Sequence, residues 1–362
     1  MRMTFNPRNP YNDLPLLPAQ SELETRDVFK QCIAATRALA ELKGSGGLIP
    51  DQAILINSIP LQEARLSSEI ENIVTTQDEL FRAAMDDTAS TDPQTKEILR
   101  YRAALRYGYY FLKEKEFDLE FVLKVCTILM GRSMQFRKEE ERVFIGNRVR
   151  GSVSYTPPDG GSVLQDKLGN WIKFLTAKDG PDPLIRMAAA HYQFEAIHPF
   201  VDGNGRTGRI LNILYLINTN LLEIPVLYLS RYIIRNKQQY YSFLRGVTEN
   251  GEWEKWVLYM LKGVEETANW TRERIQKIRW LQDATIERCR KELPKIYSKE
   301  LVEIIFRQPY ARIQFLVEAG IAKRQTASVY LQELEKAGFL AGEKYGREII
   351  YKHPALLQIL AE

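Results

Sequence analysis

The chain has 362 residues, of which 45% are hydrophobic and 27% are charged, and its net charge at pH 7 is +4. A chain of this length exceeds one ordinary hydrophobic core, so two or three domains are expected. The small net charge excludes a protein that binds polyanions through bulk charge, although it allows a local basic patch.

No segment has the pattern of a signal peptide or a membrane helix. The start of the chain is rich in proline and asparagine and lacks the apolar stretch of a signal peptide. The longest apolar run, 210–229, is interrupted by asparagine, glutamate and proline. The scattered Cys32, Cys126 and Cys289 are expected to be buried thiols in a reducing compartment. Together these features predict a cytoplasmic protein.

The first third of the chain predicts helices after an extended arm of about twenty residues. Helical periodicity covers four segments, which are 21–43, about 51–72 with a bend at Pro60, 96–115 and 119–130. A glycine-rich stretch ends the first of these helices. The stretch that begins at Thr75, between the second and the third, is interpreted as a polar connection.

One β hairpin is predicted within this helical chain. Residues 143–145 and 149–155 are rich in β-branched and aromatic side chains and flank Gly146-Asn147, which is a turn signal. Helix resumes at 164–176. The next helix is expected to begin at the capping pair Asp182-Pro183 and to run to about Ile197.

The helical pattern continues at 206–217 and 228–261. A long charged helix at about 252–291 overlaps the end of the second segment. The polarity of the long helix indicates a connector between domains. The last part of the chain predicts three short helices, at 298–306, 311–318 and 323–336, and a hairpin around 344–347. This order is typical of a winged helix-turn-helix domain.

The loop between the helices that end near Ile197 and begin near Arg206 concentrates chemistry. Glycine tolerates the positive φ of an anion-binding nest, so Gly203, Asn204 and Gly205 are candidates to turn backbone N–H groups toward an anion. The dipole of the following helix points to the same place. Arg206 and Arg209 are three residues apart on that helix and are expected to clamp one phosphate chain.

Two further side chains complete this set. Asp202 is the single carboxylate of the loop, and its expected role is to hold a Mg²⁺ ion that bridges phosphate oxygens. His198 ends the preceding helix, where a neutral imidazole can take a proton from an attacking hydroxyl. Phe200 is expected to anchor the loop in the core. A base, a metal ligand and phosphate clamps suit attack on a nucleotide phosphate.

The stretch HPFVDGNGRTGR closely resembles the defining motif of the Fic (Fido) domain, H-x-F-x-[DE]-G-N-G-R-x-x-R. Its fixed positions are filled by His198, Phe200, Asp202, Gly203, Asn204, Gly205, Arg206 and Arg209. The resemblance implies a helical enzyme that moves AMP from ATP to a Ser, Thr or Tyr hydroxyl of a protein, or of itself, and releases pyrophosphate. It also implies that His198 is the base, that Asp202 binds Mg²⁺, and that residues 203–209, with Thr207 and Gly208 between the arginines, surround the phosphates.

An upstream stretch, SSEIEN, looks like the inhibitory helix of the same family, [ST]-x-x-x-E-[GN]. Ser67, Glu71 and Asn72 fill its three specified positions. A carboxylate placed beside Arg209 would occupy that arginine as an ion pair, and the terminal phosphate of ATP would then lose its clamp. The resemblance therefore implies inhibition by Glu71.

Two further segments are similar to parts of the same family. The predicted hairpin resembles its flap, whose edge docks an extended target segment, and the candidate residues are Val153, Ser154, Tyr155 and Thr156. The aromatic segment after 228 resembles the lining of the adenine pocket. Tyr240 could stack on adenine and Thr248 could hydrogen-bond to it, although packing between helices is an equal alternative for these residues.

Two other classes of function compete with AMP transfer. His191, Glu195 and His198 follow the spacing of one helix face, as in a metallohydrolase, but no HExxH sequence or further His or Cys cluster supports a metal site. The second alternative is a DNA-binding regulator for which the Fic core is accessory. Its candidate contacts are Lys323, Arg324, Gln325, Thr326, Ser328, Lys344 and Arg347. Nearby glutamates make this surface less suited to binding a polyanion. Docking to another protein and homodimerisation are alternative roles for the same domain.

The sequence as a whole predicts a mainly α protein, with a Fic-type helical core, a small β-hairpin flap and a C-terminal winged helix-turn-helix domain. The predicted parts are an N-terminal helical region at 1–112 with its inhibitory helix at about 61–72, a catalytic core at 113–262, a helical connector at 263–295 and the winged-helix domain at 296–362. The predicted partners are ATP and a target protein, without a membrane.

Overall fold

The computed structural model of the protein describes residues 5–19, 21–46, 53–85, 92–147, 151–345 and 348–361. Within them it contains fifteen helices and two small antiparallel sheets, which confirms the mainly α class. None of the described helices combines the length and the apolar character that crossing a membrane requires.

The N-terminal part consists of five helices: α1 (Arg26–Gly46), α2 (Ala53–Ile70), α3 (Gln77–Met85), α4 (Pro93–Phe111) and α5 (Leu119–Met130). Pro60 lies inside α2. The prediction of a polar connection after Thr75 was wrong, because α3 occupies it and buries Leu80 and Phe81. Its start carries a capping signal: the Thr76 hydroxyl accepts from the Glu79 N–H, 3.1 Å away, and Glu79 accepts from the Thr76 hydroxyl at 2.9 Å.

The predicted hairpin exists, but its turn lies later in the chain. Strands β1 (Ile145–Asn147) and β2 (Ser152–Tyr155) pair in antiparallel register, and Gly146 lies opposite Val153. The predicted turn residues therefore belong to β1. A side chain at Gly146 would collide with the Ser152 carbonyl, so glycine here serves close strand approach and not a turn. Part of the connection, 148–150, lies outside the described residues.

Six helices follow: α6 (Ser162–Thr176), α7 (Pro183–Ile197), α8 (Asn204–Asn218), α9 (Leu229–Arg235), α10 (Lys237–Asn250) and α11 (Trp253–Glu292). Asp182 caps α7 as predicted, since its carboxylate accepts from the Leu184 N–H at 2.8 Å. Nearly every residue of α7 and most residues of α8 are buried. These two helices therefore form the centre of the core, and the loop between them is held rigidly.

The long helix α11, which was predicted to connect domains, also packs against α1 and α7. It packs along α1, and Gln31 of α1 donates to Glu265 of α11 at 2.7 Å. Trp256 is fully buried and donates to the Ala188 carbonyl of α7 at 2.7 Å. The helix α11 is therefore packed into the fold along part of its length, and its buried face also contains polar residues such as Arg274 and Gln282. The domain boundaries derived from the sequence stay a prediction.

The C-terminal part follows the predicted order of elements and adds two that were not predicted, β3 and α15. It consists of α12 (Lys299–Phe306), β3 (Tyr310–Ala311), α13 (Ile313–Glu318), α14 (Arg324–Lys336), β4 (Ala341–Tyr345), β5 (Glu348–Lys352) and α15 (Pro354–Ala361). The strands form a sheet in the order β3-β5-β4. The assignment as a winged helix-turn-helix and its contact with DNA stay predictions.

The candidate DNA-contacting side chains have mixed positions. Four of them, at the start of α14, are exposed: Lys323, Arg324, Gln325 and Thr326. Ser328 is half-buried, and Arg347 lies outside the described residues. The hairpin that carries the exposed Lys344 is tied to α3, because Arg82 pairs with Glu343 at 2.8 Å. Lys352 pairs with Asp78 of α3 at 2.9 Å. The C-terminal part thus contacts α3, the helix that follows the predicted inhibitory segment.

The N-terminal arm, 5–19, has no helix or strand but contains turns, as between Asn6 and Asn9, and it packs on the predicted catalytic core. The Leu14 carbonyl accepts from the buried Lys167 of α6 at 2.9 Å. The Pro15 carbonyl accepts from Gln193 of α7 at 2.8 Å. Phe5 stacks on Tyr155 of β2 at 5.9 Å between ring centroids. The arm therefore covers the hairpin and the two helices that lead to the motif loop.

Candidate active site

Two residues with positive φ shape the motif loop. His198 ends α7 with a φ of 51°, and its N–H donates to the Phe194 carbonyl at 2.9 Å. Gly203 precedes α8 with a φ of 83°. A Cβ atom at Gly203 would lie 2.7 Å from the Met130 sulfur, so only glycine fits there. The chain thus reverses between two buried helices and brings His198 to the start of α8.

The Asn204 side chain closes this loop. Its Oδ1 accepts from the Phe200 N–H and its Nδ2 donates to the Phe200 carbonyl, both at 2.8 Å. Phe200 is fully buried and stacks on Phe136, as its predicted anchoring role requires. The amide of Asn204 is therefore committed to holding the loop. Only its backbone N–H, in the first turn of α8, is left for the predicted anion nest.

Arg137 holds the loop from the other side. Its guanidinium donates from Nε to the His198 carbonyl at 2.8 Å, and from Nη2 to the carbonyls of Ile197 at 3.1 Å and Pro158 at 2.8 Å. The side chain is 2% exposed. Burial lowers the pKa of Arg137, and backbone dipoles satisfy its donors. The sequence shows only a charged run at this point, so it gave no sign of this role.

We expect Arg137→Ala to lower the free energy of unfolding by about 3 kcal/mol, because several buried carbonyls lose their donor. Arg137→Lys should recover part of this loss, since it keeps one donor but not the planar fork. Urea denaturation measures both changes. The control is Arg142→Ala, which removes a nearby arginine that is 65% exposed. Equal stability of the Arg137→Ala and Arg142→Ala proteins would contradict the clamp.

Arg209 is held by the predicted inhibitory segment. The side chain is 1% exposed, its Nε donates to the Ser67 hydroxyl at 2.8 Å, and its Nη2 donates to the Ser67 carbonyl at 2.9 Å. Nη2 also pairs with Glu71 at 2.8 Å. Burial would raise the pKa of Glu71, but the charge of Arg209 and this hydrogen bond outweigh it, so the pKa is lowered. Glu71 is therefore a carboxylate bound to Arg209.

The end of α2 aims Glu71 at this arginine. The helix stops at Ile70, so the predicted inhibitory helix is helical only up to that residue. Asn72 has a φ of 63°, and the Ile73 N–H turns back to the Ser68 carbonyl at 3.0 Å. A residue that tolerates the left-handed region is thus needed directly after Glu71. Lys237 of α10, which was not predicted, donates to the Ile70 carbonyl at 2.6 Å and fixes the helix end.

Arg206 has a different ion-pair partner from Arg209. Its guanidinium pairs with Glu97 of α4, is 4% exposed and lies 3.8 Å from Asp202. Its charge also acts on Glu71, the partner of Arg209. The contact of both arginines with one phosphate chain stays a prediction. The role of Glu97 was missed.

His198 has the protonation state of a base. Burial, followed by the charge of Arg137, lowers the pKa of its imidazole to about 4. The ring is therefore neutral at pH 7. Nδ1 lies 3.3 Å from the Glu195 carbonyl, which favours the tautomer with the proton on Nδ1. Nε2 is then the atom left to accept a proton.

A cavity of about 480 Å³ opens beside His198. Its lining includes Glu71, Gly205, Tyr241 and Thr248. Thr248 is in the predicted position, although its hydroxyl is 3.0 Å from that of Tyr192. Tyr240 is 2% exposed and its hydroxyl lies 2.9 Å from His191 Nε2. Its neighbour Tyr241 therefore takes the place on the cavity wall that was predicted for Tyr240.

The flap candidates divide into two pairs. Tyr155 donates its hydroxyl to the Ala196 carbonyl at 2.8 Å, and Thr156 donates to the Pro7 carbonyl at 2.7 Å. Both side chains thus support the fold. Val153 and Ser154 are half-buried on β2, and Ser154 lines the cavity. Tyr155 lines the same cavity, and the docking of a target segment on this strand stays a prediction.

Two motif residues are packed inside the helix core. Thr207 is fully buried on α8, and Gly208 faces α7, where a Cβ atom would lie 2.9 Å from Glu195 Oε1. Neither is among the described residues that line the cavity. Both residues therefore pack between α7 and α8, and their contact with phosphates stays a prediction.

The metallohydrolase alternative finds no support in the described part of the chain. Those residues contain no group of three His, Cys, Asp or Glu side chains that could hold a metal ion. His191 stacks on Trp256 and is hydrogen-bonded to Tyr240, and burial lowers its pKa to about 3. It is a core histidine.

Comparison with protein families agrees with this geometry. Residues 116–216 match the Fic/DOC family, residues 29–110 match the Fic/DOC family N-terminal region, and residues 281–356 match the C-terminal domain of protein adenylyltransferase SoFic-like proteins. These segments together account for well over half of the chain.

Curated relatives include the protein adenylyltransferase Fic of Drosophila grimshawi, 29% identical over 181 residues that cover 47% of this chain and 34% of that protein. Protein adenylyltransferase fic-1 of Caenorhabditis elegans is 28% identical over 177 residues, which cover 47% of this chain and 32% of that protein. The chain thus spans about a third of the length of these relatives.

Solved structures share the fold. A Fic family protein from Desulfovibrio desulfuricans superposes with a TM-score of 0.57 at 18% identity, and the match covers 91% of this chain and 96% of that one. Fic-1 from C. elegans gives a TM-score of 0.53 at 20% identity, with 69% of this chain and 74% of that one covered. These structures agree in fold, and the family segments matched at 29–110 and 116–216 show that the chain belongs to the Fic/DOC family.

Proposed function

We propose that the protein transfers AMP from ATP to a Ser, Thr or Tyr hydroxyl of a target protein, or of itself, and that Glu71 inhibits this reaction. One observation supports the proposal: neutral His198, Gly205 at the start of α8 and Glu71, which is paired with the buried Arg209, line one cavity. The names of the curated relatives, which are protein adenylyltransferases, support the same chemistry.

His198 supplies the base. The target hydroxyl gives its proton to Nε2 while its oxygen forms a bond to the α-phosphorus of ATP. The bond from that phosphorus to the bridging oxygen breaks, and pyrophosphate leaves with the electron pair. The earlier half of the flap, with Val153 and Ser154, holds the extended target segment next to the cavity. The contribution of His198 is thus to activate the hydroxyl at the site where the phosphate is held.

The start of α8 holds the phosphates. Its first N–H groups and its dipole attract an anion, and Gly205 lets the anion approach the backbone. A cavity of about 480 Å³ lies in the range of nucleotide-sized pockets. Arg209 becomes the clamp for the terminal phosphates when Glu71 withdraws. While the ion pair of 2.8 Å persists, the triphosphate cannot take the position for in-line attack.

Asp202 fits a role in holding Mg²⁺. Its side chain is 58% exposed on the loop that precedes α8, and the described residues contain no group of three or more His, Cys, Asp or Glu side chains that could hold a metal ion. Mg²⁺ is commonly held by one or two carboxylates together with the substrate phosphates, so one carboxylate is sufficient. When bound, the ion would neutralise charge on the phosphates.

Labelled ATP tests the proposal. The Glu71→Gly protein is incubated with Mg²⁺, cell lysate and ATP labelled at either the α- or the γ-phosphate. We expect the α-label to enter protein and the γ-label to remain in pyrophosphate. The His198→Ala variant of the same protein is the control. Incorporation of the γ-label would indicate phosphoryl transfer, and absence of His198-dependent incorporation from either nucleotide would refute the proposed function.

A further inference from the structure

The active-site cavity contains a second carboxyl group, that of Glu195, which the proposed chemistry does not use. Glu195 lies on α7, one turn before His198, and lines the same cavity as Glu71. Its Oε1 is buried and has no hydrogen-bond partner among the residues that the structure describes. A buried carboxyl oxygen without a partner is costly, so this position requires an explanation.

Two glycines of α8 admit the two carboxyl groups. A side chain at Gly205 would collide with Glu71 Oε1, and a Cβ atom at Gly208 would lie 2.9 Å from Glu195 Oε1. Gly205 and Gly208 are three residues apart in the first turns of α8, where the helix dipole favours negative charge. Arg209 is the next residue. The two carboxyl groups therefore approach the same buried cation, one from the turn after α2 and one from α7.

Arg209 needs a counter-charge in both states of the inhibitory segment. Its present contacts to Ser67 and Glu71 use Nε and Nη2, whereas Nη1 faces Gly205 on the cavity wall. When Glu71 withdraws, a guanidinium that is 1% exposed loses its ion pair. An uncompensated buried charge is strongly destabilising. Two other carboxyl groups interact with the charge of Arg209, those of Glu195 and Glu63. Glu63 already accepts hydrogen bonds from the Ser230 N–H and hydroxyl, whereas Glu195 lies on α7 and lines the cavity.

We propose that Glu195 is a positioning residue that pairs with Arg209 after Glu71 has withdrawn and that holds the guanidinium in place for the terminal phosphates of ATP. The five donors of a guanidinium serve a carboxylate on one edge and a phosphate on the other. This role rests on the proposed function, in which Arg209 binds those phosphates. Glu195 thereby stabilises the released state and opposes Glu71.

The pKa of Glu195 while Glu71 is paired with Arg209 is consistent with this role. Burial raises the pKa of Glu195 to about 7, Arg209 opposes this shift, and Glu71 adds to it. Withdrawal of Glu71 removes a like charge, so the pKa of Glu195 falls and its carboxylate form is favoured. The group thus gains negative charge in the state in which Arg209 requires it.

A first experiment needs no nucleotide. Thermal unfolding is measured for the parent protein, Glu71→Gln, Glu195→Gln and the double variant. Each single variant keeps one of the two cavity-lining carboxyl groups that approach Arg209, and the double variant keeps neither. We expect the melting temperature of the double variant to fall by about 5 °C more than the sum of the single changes. Additive changes would overturn the proposal. The control is a second cycle that combines Glu71→Gln with Glu249→Gln, a substitution on the exposed side of α10, and its changes should be additive.

A second experiment compares ATP with AMP in the Glu71→Gln background. Glu195→Gln is expected to weaken ATP binding about tenfold or more and to leave AMP binding unchanged, because AMP lacks the terminal phosphates. Equal weakening of both nucleotides would assign Glu195 a merely structural role and overturn the proposal, as would no change in either. Failure of the Glu71→Gln protein to bind ATP would instead refute the proposed function, and the melting cycle would still decide the pairing of Glu195 with Arg209.

Discussion

Replacing Glu71 with glycine is expected to raise the rate of AMP transfer about tenfold to a hundredfold, because Arg209 then becomes available to the terminal phosphates of ATP. The ion pair of 2.8 Å is buried at its arginine end, so its loss affects the cavity directly. Incorporation of α-labelled AMP into protein, at ATP concentrations below and above KM, measures the change. Glu71→Gln should activate in the same direction, since it keeps the length of the side chain and removes its charge.

The control for this experiment is Glu69→Gly. It places the same substitution two positions earlier and removes a carboxylate that is 37% exposed and 3.5 Å from Arg65. It should leave the rate of AMP transfer within about twofold of the parent, because exposed ion pairs contribute little. Equal activation by Glu69→Gly and Glu71→Gly would show that loosening of α2, and not the release of Arg209, raises the rate.

Sequence and structure agree best where the chemistry is local. The motif from His198 to Arg209 is continuous, so its composition alone indicated a base, an anion nest and a helix start. The contact of Glu71 with Arg209 joins residues 138 positions apart. It could be predicted only because the resemblance supplied both ends, and the structure adds the reason for Asn72, which is a φ of 63°.

What the sequence could not supply depends on helix orientation and distant partners. Successive residues of a helix point about 100° apart, so periodicity did not separate Tyr240, which is buried, from Tyr241, which lines the cavity. The ion pair of Arg206 with Glu97 could not be predicted from the sequence, because the two residues are 109 positions apart. Arg137 reaches the His198 carbonyl across 61 residues, and the charged run around it has no periodicity that marks one arginine.

His198→Ala in the Glu71→Gly background is expected to lower the rate of AMP transfer about 10²- to 10⁴-fold, the usual contribution of a general base. Binding of ATP should change little, since the phosphates are held by α8 and Arg209. Isothermal titration and single-turnover incorporation of α-labelled AMP measure the two quantities. The matched control is His191→Gln, one of three histidines in the chain and a core residue 2.9 Å from the Tyr240 hydroxyl. It should lower stability and keep the rate per folded molecule.

The pH dependence gives an independent check on the same residue. Because burial and then Arg137 lower the pKa of His198 to about 4, the imidazole of the free protein loses its ability to accept a proton only as the pH falls toward that value. The acid limb of kcat/KM for the target hydroxyl should therefore lie well below pH 6.5, where an exposed histidine titrates. An acid limb at or above pH 6.5 would contradict the buried imidazole. A limb that persists in the His198→Ala protein would assign the proton transfer to another group.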